Sequence, residues 1–230
     1  MMKQAPVRIL LIGSKGRMGQ TILALAKEHV DLDIVGECDL GDAIEEPMEN
    51  CDVAIDFSQP AAIEELCRVA LQNRRPLVIG TTGHSAEQRR TIEKAAENLP
   101  IVFASNFSVG VNILFWLSAK AAELLGRDFE PEIVETHHKM KKDAPSGTAK
   151  TLAEIIKKAS RTGSEIQIKS VREGEVVGDH MITFVGPGER LELIHRAGSR
   201  EIFARGTLRA ARWISGKPAG LYSMQDVLGL

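Results

Sequence analysis

Hydrophobic residues in the N-terminal half of the chain come in short blocks separated by helical patterns. Val7–Ile12 is apolar apart from Arg8, and Met18, Ile22, Leu25 and Ala26 recur at the i, i+4, i+7, i+8 spacing of one helix face. Leu32–Gly36 predicts a second strand and Val53–Phe57 a third. A helix opens at Pro60, whose fixed φ suits a first helical position, and runs to about Asn73. Leu77–Ile79 predicts a fourth strand, Ser85 with Gln88 a capping-box helix start, and Ile101–Ala104 a fifth strand. Strands this short and continuously apolar are buried on both faces, and intervening helices make them parallel. The pattern predicts an α/β fold whose first part is a Rossmann-like doubly wound parallel sheet.

After Asn106 the rhythm changes. Val109–Leu125 predicts a long helix rich in apolar and small residues, Glu132–Thr136 a strand, and Ser146 to about Ala159 a helix with Ala149, Leu152, Ala153 and Ile156 as its apolar stripe. Ile166–Arg172, His180–Val185 and Leu191–Arg196 alternate apolar and polar residues like half-buried strands. No helical pattern separates these three, so an antiparallel or mixed open sheet is expected. A last helix covers roughly Ser199–Ser215. The expected organisation is a dinucleotide-binding domain of residues 1–108 and 204–230, with a smaller α+β domain for substrate binding and oligomerisation at 109–203.

Composition narrows the functional classes. The chain has 230 residues, 43% of them apolar and 26% charged, with a formal net charge of −2. That balance excludes a disordered or collagen-like chain and gives no reason to expect nucleic acid or an anionic membrane as main partner. The three cysteines, Cys38, Cys51 and Cys67, are odd in number and form no C-x-x-C pair, so thiols in a reducing, cytoplasmic setting are expected. No uninterrupted apolar run approaches the roughly 18 residues of a membrane span. The N-terminal residues, Met1 to Arg8, lead almost directly into a strand without a signal-peptide pattern.

Two stretches carry chemistry. Gly13-Ser14-Lys15-Gly16-Arg17-Met18-Gly19 joins the first strand to the first helix. Glycines there permit a tight turn and let backbone N–H groups approach a phosphate at the helix N-terminus. Asp39, beyond the second strand, is placed to accept hydrogen bonds from the adenosine ribose and to repel a 2′-phosphate. Leu40 follows where an arginine would neutralise that phosphate, so NADH is favoured over NADPH, although Lys15 and Arg17 keep NADPH open. Phe57-Ser58, Gly80-Thr81-Thr82-Gly83 and Ala104-Ser105-Asn106-Phe107 each follow a predicted strand, where small and amide-bearing residues suit a nicotinamide ring.

The second stretch runs from Glu135 to Thr148. His137 and His138 end a strand, Lys139, Lys141 and Lys142 crowd the loop, and a helix then begins at Ser146. Such a loop suits a dicarboxylate: one carboxylate on the N–H groups of Gly147 and Thr148, the other among the cations. Crowded cations release protons more readily, which favours general acid catalysis near neutral pH. A metal site at His137-His138 lacks further ligands at a recognisable spacing. For Lys139 and Lys142 a solvated role is the better reading. For Lys141 the residues alone leave chemistry and solvation both open.

The string from Glu135 to Thr148, with its H-H-x-x-K-x-D-A-P-S-G-T core, resembles the signature of the 4-hydroxy-tetrahydrodipicolinate reductase (dihydrodipicolinate reductase) family. Gly16–Gly19, Gly80–Gly83, Asn106–Asn112, Ser215–Tyr222 and Asp226–Leu228 are similar to other blocks of that family, in the same order along the chain. The resemblance implies NAD(P)H-dependent reduction of a cyclic dicarboxylate with loss of water, in the diaminopimelate route to lysine, by a homotetramer. It implies His137 as the acid/base residue, Lys141 as the proton donor, and His138, Gly147 and Thr148 as substrate-binding residues. It implies cofactor contacts at Gly13, Ser14, Lys15, Gly16, Arg17, Met18, Asp39, Gly80, Thr81, Thr82, Ala104, Ser105, Asn106 and Phe107. Lys15 stands where many members carry a small residue, and the stretch Leu40–Asp52 is shorter than in many of them. The rival readings are another nicotinamide-dependent dehydrogenase of amino-acid metabolism and a non-catalytic dinucleotide-binding module. The 135–148 segment argues against both.

Overall fold

The computed structural model describes residues 5–160 and 165–230. By its internal packing the chain divides into two compact units, one reaching to Ser108 and resuming at Glu201–Leu230, the other spanning Val109–Arg200.

The first unit is built on a six-stranded sheet: β1 (Val7–Ile12), β2 (Leu32–Cys38), β3 (Val53–Asp56), β4 (Leu77–Ile79), β5 (Pro100–Phe103) and β10 (Gly220–Tyr222). The order is β10-β5-β4-β3-β1-β2, and every pairing is parallel. One face is covered by α1 (Arg17–Ala26), α7 (Glu201–Ile214) and α8 (Met224–Leu228), which share a core with Ile9, Leu11, Val53 and Val78. The other is covered by α2 (Glu45–Asn50), α3 (Ile63–Asn73) and α4 (Ala86–Ala96), packed on Leu10, Ala54, Leu77 and Ile101. Alternate strand residues feed opposite cores, which is why the strands read as unbroken apolar runs. The predicted capping box is present, since Ser85 Oγ accepts from Gln88 N and the Gln88 side chain accepts from Ser85 N.

Three features depart from the sequence pattern. Residues 40–52 contain the short helix α2, too brief for its single buried residue, Met48, to show periodicity. A 3-10 turn, Pro60–Ala62, precedes α3. The chain ends with β10 and α8 rather than with a single helix; β10 is only three residues long and lies at a sheet edge beside β5.

The second unit holds α5 (Val109–Leu125), β6 (Glu130–His137), α6 (Gly147–Ser160), β7 (Gln167–Arg172), β8 (Asp179–Gly186) and β9 (Glu189–Arg196). The sheet order is β7-β6-β8-β9. β6 pairs with β7 in parallel and with β8 antiparallel, so the sheet is mixed. Its core, Ile133, Ile182, Phe184 and the partly buried Leu193, packs against Val111, Leu114 and Phe115 of α5 and Ala149, Leu152 and Ile156 of α6. On the opposite sheet face, one ladder row runs Lys169, Val134, Met181, Ile194. Ile194 is exposed there.

α5 corrects one expectation. With the turn after it, Val109–Asp128 forms a 20-residue helical stretch of mean hydropathy 1.3, long and apolar enough by length and composition to cross a membrane. Counting uninterrupted apolar residues missed it, because Asn112, Ser118 and Lys120 break the run. One third of that stretch is buried within the protein, where Val111, Leu114, Phe115 and Ala122 join the core of the second unit.

Candidate active site

The strand order places the change of winding direction between β1 and β3, and in open parallel sheets ligands bind there, beyond the carboxyl ends of the strands. Gly13 leaves β1 at φ +83°, a conformation that side chains rarely adopt. A Cβ on Gly19 would lie 2.3 Å from Gly13 O and 2.5 Å from Ser14 O, so only glycine lets α1 sit this close to the turn. Gly16 caps α1 without a side-chain hydrogen bond, and no acidic residue stands in the first helical turn. The leading N–H groups of α1 are therefore left available to an anion.

Asp39 meets this turn from the end of β2. It accepts from Ser14 Oγ at 2.7 Å and from Lys15 N at 3.2 Å, and Lys15 Nζ lies 3.9 Å away. Beside it is a cavity of about 190 Å³ lined by Ile12, Asp39, Leu40, Ala43, Leu66 and nine neighbours in sequence or space, none of them lysine or arginine and four of them Asp42, Glu45, Asp56 and Glu65. Gly80 packs under the Phe57 ring, which a Cβ would meet at 2.2 Å. Thr81 is buried, and its hydroxyl and that of Ser58 face Asp56, whose carboxyl is pushed up by burial and drawn back by those two groups. Ala104 follows β5, and Asn106 Oδ1 accepts from Ser108 N at 2.9 Å. Phe107 is buried against Phe57, with ring centroids 5.9 Å apart. The structure thus brings all the sequence-predicted cofactor residues to the carboxyl edge of one sheet, and these residues fit a dinucleotide.

In the second unit the ladder itself assembles the polar cluster. Glu135 stands opposite His180 on β8 and Ser170 on β7, His137 opposite Arg172, and His180 opposite His195 on β9. Glu135 is fully buried. Its Oε2 binds His137 Nδ1 and Arg172 Nη1, the latter at 3.0 Å; its Oε1 binds Arg172 Nη2 at 2.8 Å and Ser146 N at 3.3 Å. Burial raises the Glu135 pKa, but the hydrogen bonds of Arg172, Ser170 and His137 outweigh it and hold it at about 2. His137 is shifted down by burial, opposed by Glu135, with Lys141 and Arg172 adding to the decrease. A neutral His137 that donates from Nδ1 to Glu135 carries its lone pair on Nε2. A Cβ on Gly178 would lie 3.0 Å from that nitrogen, so glycine keeps the space beside it clear.

The loop after β6 is held by backbone bonds from His138 N to Val176 O (2.7 Å) and Lys141 N to His138 O (3.1 Å). Lys141 Nζ lies 2.8 Å from Asp143 Oδ1 and is largely covered, whereas Lys139 and Lys142 are exposed. The Ala144–Pro145 peptide is cis. Ser146 caps α6, its Oγ accepting from Ala149 N at 3.2 Å and contacting His180 Nε2 at 3.3 Å. Gly147 and Thr148 open the helix, and a Cβ at Gly147 would meet nothing within 4 Å. Among the described residues no group of three or more His, Cys, Asp and Glu is placed to hold a metal ion.

Sequence reasoning missed Glu135 as a partner of His137, together with Arg172, Ser146 and His180. The two-residue spacing of Glu135 and His137 was a readable signal, since strand periodicity puts i and i+2 on one face. Nothing local marks Arg172 or His180, which arrive through strand pairing.

Comparison with known proteins gives the family and the fold. Residues 7–107 match the family described as dihydrodipicolinate reductase, N-terminus, and residues 110–228 match dihydrodipicolinate reductase, C-terminus. A protein of Akkermansia muciniphila named 4-hydroxy-tetrahydrodipicolinate reductase is 48% identical over 97% of this chain and 98% of its own. One of Geotalea uraniireducens with the same name is 38% identical over 97% and 99%. Among solved structures, dipicolinate-bound dihydrodipicolinate reductase from Paenisporosarcina sp. superposes with a TM-score of 0.84 at 25% identity, covering 96% of this chain and 98% of that one. A Corynebacterium glutamicum diaminopimelate dehydrogenase, at a TM-score of 0.61 and 13% identity, shares the fold. The chain belongs to the dihydrodipicolinate reductase family, oxidoreductases that use a nicotinamide cofactor to reduce 4-hydroxy-tetrahydrodipicolinate, with loss of water, on the diaminopimelate route to lysine.

Proposed function

We propose that His137 and Lys141 carry the proton chemistry of this reduction and that His138, Gly147 and Thr148 hold the substrate carboxylates. The observation that carries this reading is the commitment of His137 Nδ1 to the buried Glu135, which leaves Nε2 as a proton acceptor beside the side-chain-free Gly178. A bound nicotinamide supplies a hydride. The substrate skeleton that receives it then needs one proton; Lys141 donates it, and His137 takes up and returns protons through Nε2. The open space at Gly147 and the N–H groups of the first turn of α6 suit a carboxylate, as does the cationic loop before them. Dipicolinate, named in the solved relative from Paenisporosarcina, is a dicarboxylate of this kind.

The first unit serves as the dinucleotide-binding domain, through Gly13–Met18, Asp39, Gly80–Thr82 and Ala104–Phe107. NADH is its preferred cofactor. Asp39, oriented by Ser14 and the Lys15 N–H, accepts from the ribose hydroxyls, and the adjoining cavity offers carboxylates and no cation to a 2′-phosphate. The second unit binds substrate and forms the homotetramer, for which the exposed apolar positions Leu191 and Ile194 of β9 are suited. Three buried thiols without disulfides agree with a cytoplasmic setting.

The test is steady-state kinetics of His137→Ala and Lys141→Ala with freshly prepared substrate. Both variants should lose most of kcat, by about 10²- to 10⁴-fold, while NADH affinity measured by calorimetry stays within about twofold. Turnover near wild type in both would remove these residues from the reacting atoms.

A further inference from the structure

Arg172 makes more contacts than an ion pair with Glu135 requires. Nη1 donates to Glu135 Oε2 at 3.0 Å and to Val171 O at 2.7 Å; Nη2 donates to Glu135 Oε1 at 2.8 Å and to Asp143 O at 2.6 Å. One planar guanidinium therefore grips two segments. On one side is the carboxylate that holds His137 Nδ1. On the other is the backbone of Asp143, whose side chain holds Lys141 Nζ at 2.8 Å. The same carboxylate also receives Ser146 N at 3.3 Å, at the start of α6.

We propose that Glu135 and Arg172 act together as positioning residues that set His137 and the Lys141-bearing loop relative to each other for proton transfer. The inference rests on the proposed roles of His137 and Lys141 and adds the machinery that places them.

Several observations separate this from a salt bridge that merely joins strands. A fully buried carboxylate is costly unless each lone pair is matched, and replacing a purely structural buried pair by apolar residues is often neutral. Here the bonds of Glu135 to His137, Arg172 and the start of the substrate-side helix converge on one place, with Ser170 of the neighbouring strand as a further donor. The fork of Arg172 is bidentate, a geometry that lysine cannot reproduce. The parallel register of β6 and β7, with Glu135 opposite Ser170 and His137 opposite Arg172, brings the guanidinium level with the imidazole. A carboxylate on Nδ1 also selects the tautomer with its lone pair on Nε2.

The electrostatic surroundings of His137 are specific enough to be tested by sign. From β6 it faces Glu135, from β7 Arg172, from the loop Lys141 with its partner Asp143, and from β8 the His180 ring, 5.3 Å away between centroids. His195 on β9 lies beyond His180. Of these, Glu135 raises the His137 pKa, and Lys141 and Arg172 lower it. Glu135→Gln keeps the size and removes the charge, so the His137 titration should move to lower pH. Arg172→Lys keeps the charge and loses the fork, so the titration should stay in place while the loop loses its anchor at Asp143 O.

The experiment compares Glu135→Gln, Arg172→Lys and His137→Gln in the intact enzyme. The readouts are kcat, KM for substrate, Kd for NADH, the pH profile of kcat, and the His137 ring titration by NMR with isotope-labelled histidine. In Glu135→Gln, kcat should fall about 10- to 100-fold, with the NADH Kd unchanged and both the acid limb and the ring titration displaced downward. Arg172→Lys should show a similar loss of kcat without displacement of the limb. If Glu135→Gln does not fold, Arg172→Lys decides by the same measure of kcat. Folded variants with wild-type kcat and an unmoved titration, while His137→Gln is inactive, would overturn the positioning role alone. An active His137→Gln enzyme would instead overturn the catalytic reading beneath it.

Discussion

Replacing Gly19 with alanine sets helix propensity against the geometry of the phosphate turn. Alanine in a helix is favoured over glycine by at most about 1 kcal/mol. The new Cβ, however, would stand 2.3 Å from Gly13 O and 2.5 Å from Ser14 O, against roughly 3.3 Å for a close carbon–oxygen contact. Either the helix or the turn has to move by about 1 Å. The turn cannot yield freely, because Gly13 N and Ser14 N are both bonded to Cys38 O, at 2.8 and 3.3 Å. Overpacking against rigid backbone costs about 1–3 kcal/mol, so after the propensity gain the net loss should be about 0–2 kcal/mol. In a chain of this size that lowers Tm by up to about 8 °C. Shifting the N–H groups of the turn away from a pyrophosphate forfeits about 2 kcal/mol of charged hydrogen bonding, a roughly 30-fold rise in the NADH Kd. Calorimetric titration and thermal melting of Gly19→Ala read both. Gly198→Ala is the control, since a Cβ there meets nothing within 4 Å. A Tm at or above wild type together with an unchanged Kd would show that the close approach of α1 to this turn does not build the cofactor cradle.

Two further outcomes follow from charge placement. Asp39→Ala should weaken NADH about 10-fold and NADPH much less, because it removes both a ribose acceptor and a repulsion of the 2′-phosphate; an unchanged ratio of the two Kd values would detach Asp39 from the ribose. His180 is pushed down to about 4, first by burial and then by His137. Its folded pKa thus lies below the free value near 6.5, so the unfolded chain takes up the extra proton and stability is lost as pH falls from about 6.5 to about 4. Urea unfolding across that window should show a slope in His180→Gln that is smaller by about 1.4 kcal/mol per pH unit than in wild type, and identical slopes would refute the assignment.

Periodicity read well wherever an element buries a full stripe. α1 shows its face through Ile22, Leu25 and Ala26, and α4 announces its start with Ser85 and Gln88, because a cap needs only neighbours in sequence. It failed where an element is short. α2 buries Met48 alone, and β10 has three residues, so their stability comes from packing on partners distant in the chain rather than from local pattern. α5 illustrates the converse: a core helix of a small unit can carry enough apolar residues to resemble a membrane span, and only its contacts with Ile133, Ile182 and Phe184 show what that surface covers.

The candidate site divides the same way. The chain by itself marked the glycine turn before α1, Asp39 after β2 and the histidine–lysine segment before α6, since each is a contiguous motif, while residue type and spacing left the role of Lys141 open until the family resemblance was considered. It also determined that strands and helices alternate in the first unit. Tertiary structure decided which charges meet. Glu135 and Arg172 lie 37 residues apart, and His180 lies a further strand away. Strand register brings them onto one sheet face in two neighbouring rows, Glu135 with His180 and His137 with Arg172, and strand register is a property of pairing between segments that no single segment encodes. Burial then makes that cluster matter: a carboxylate in contact with water would be one more surface acid, but enclosed among His137, Arg172 and Ser146 it sets a tautomer and holds a loop.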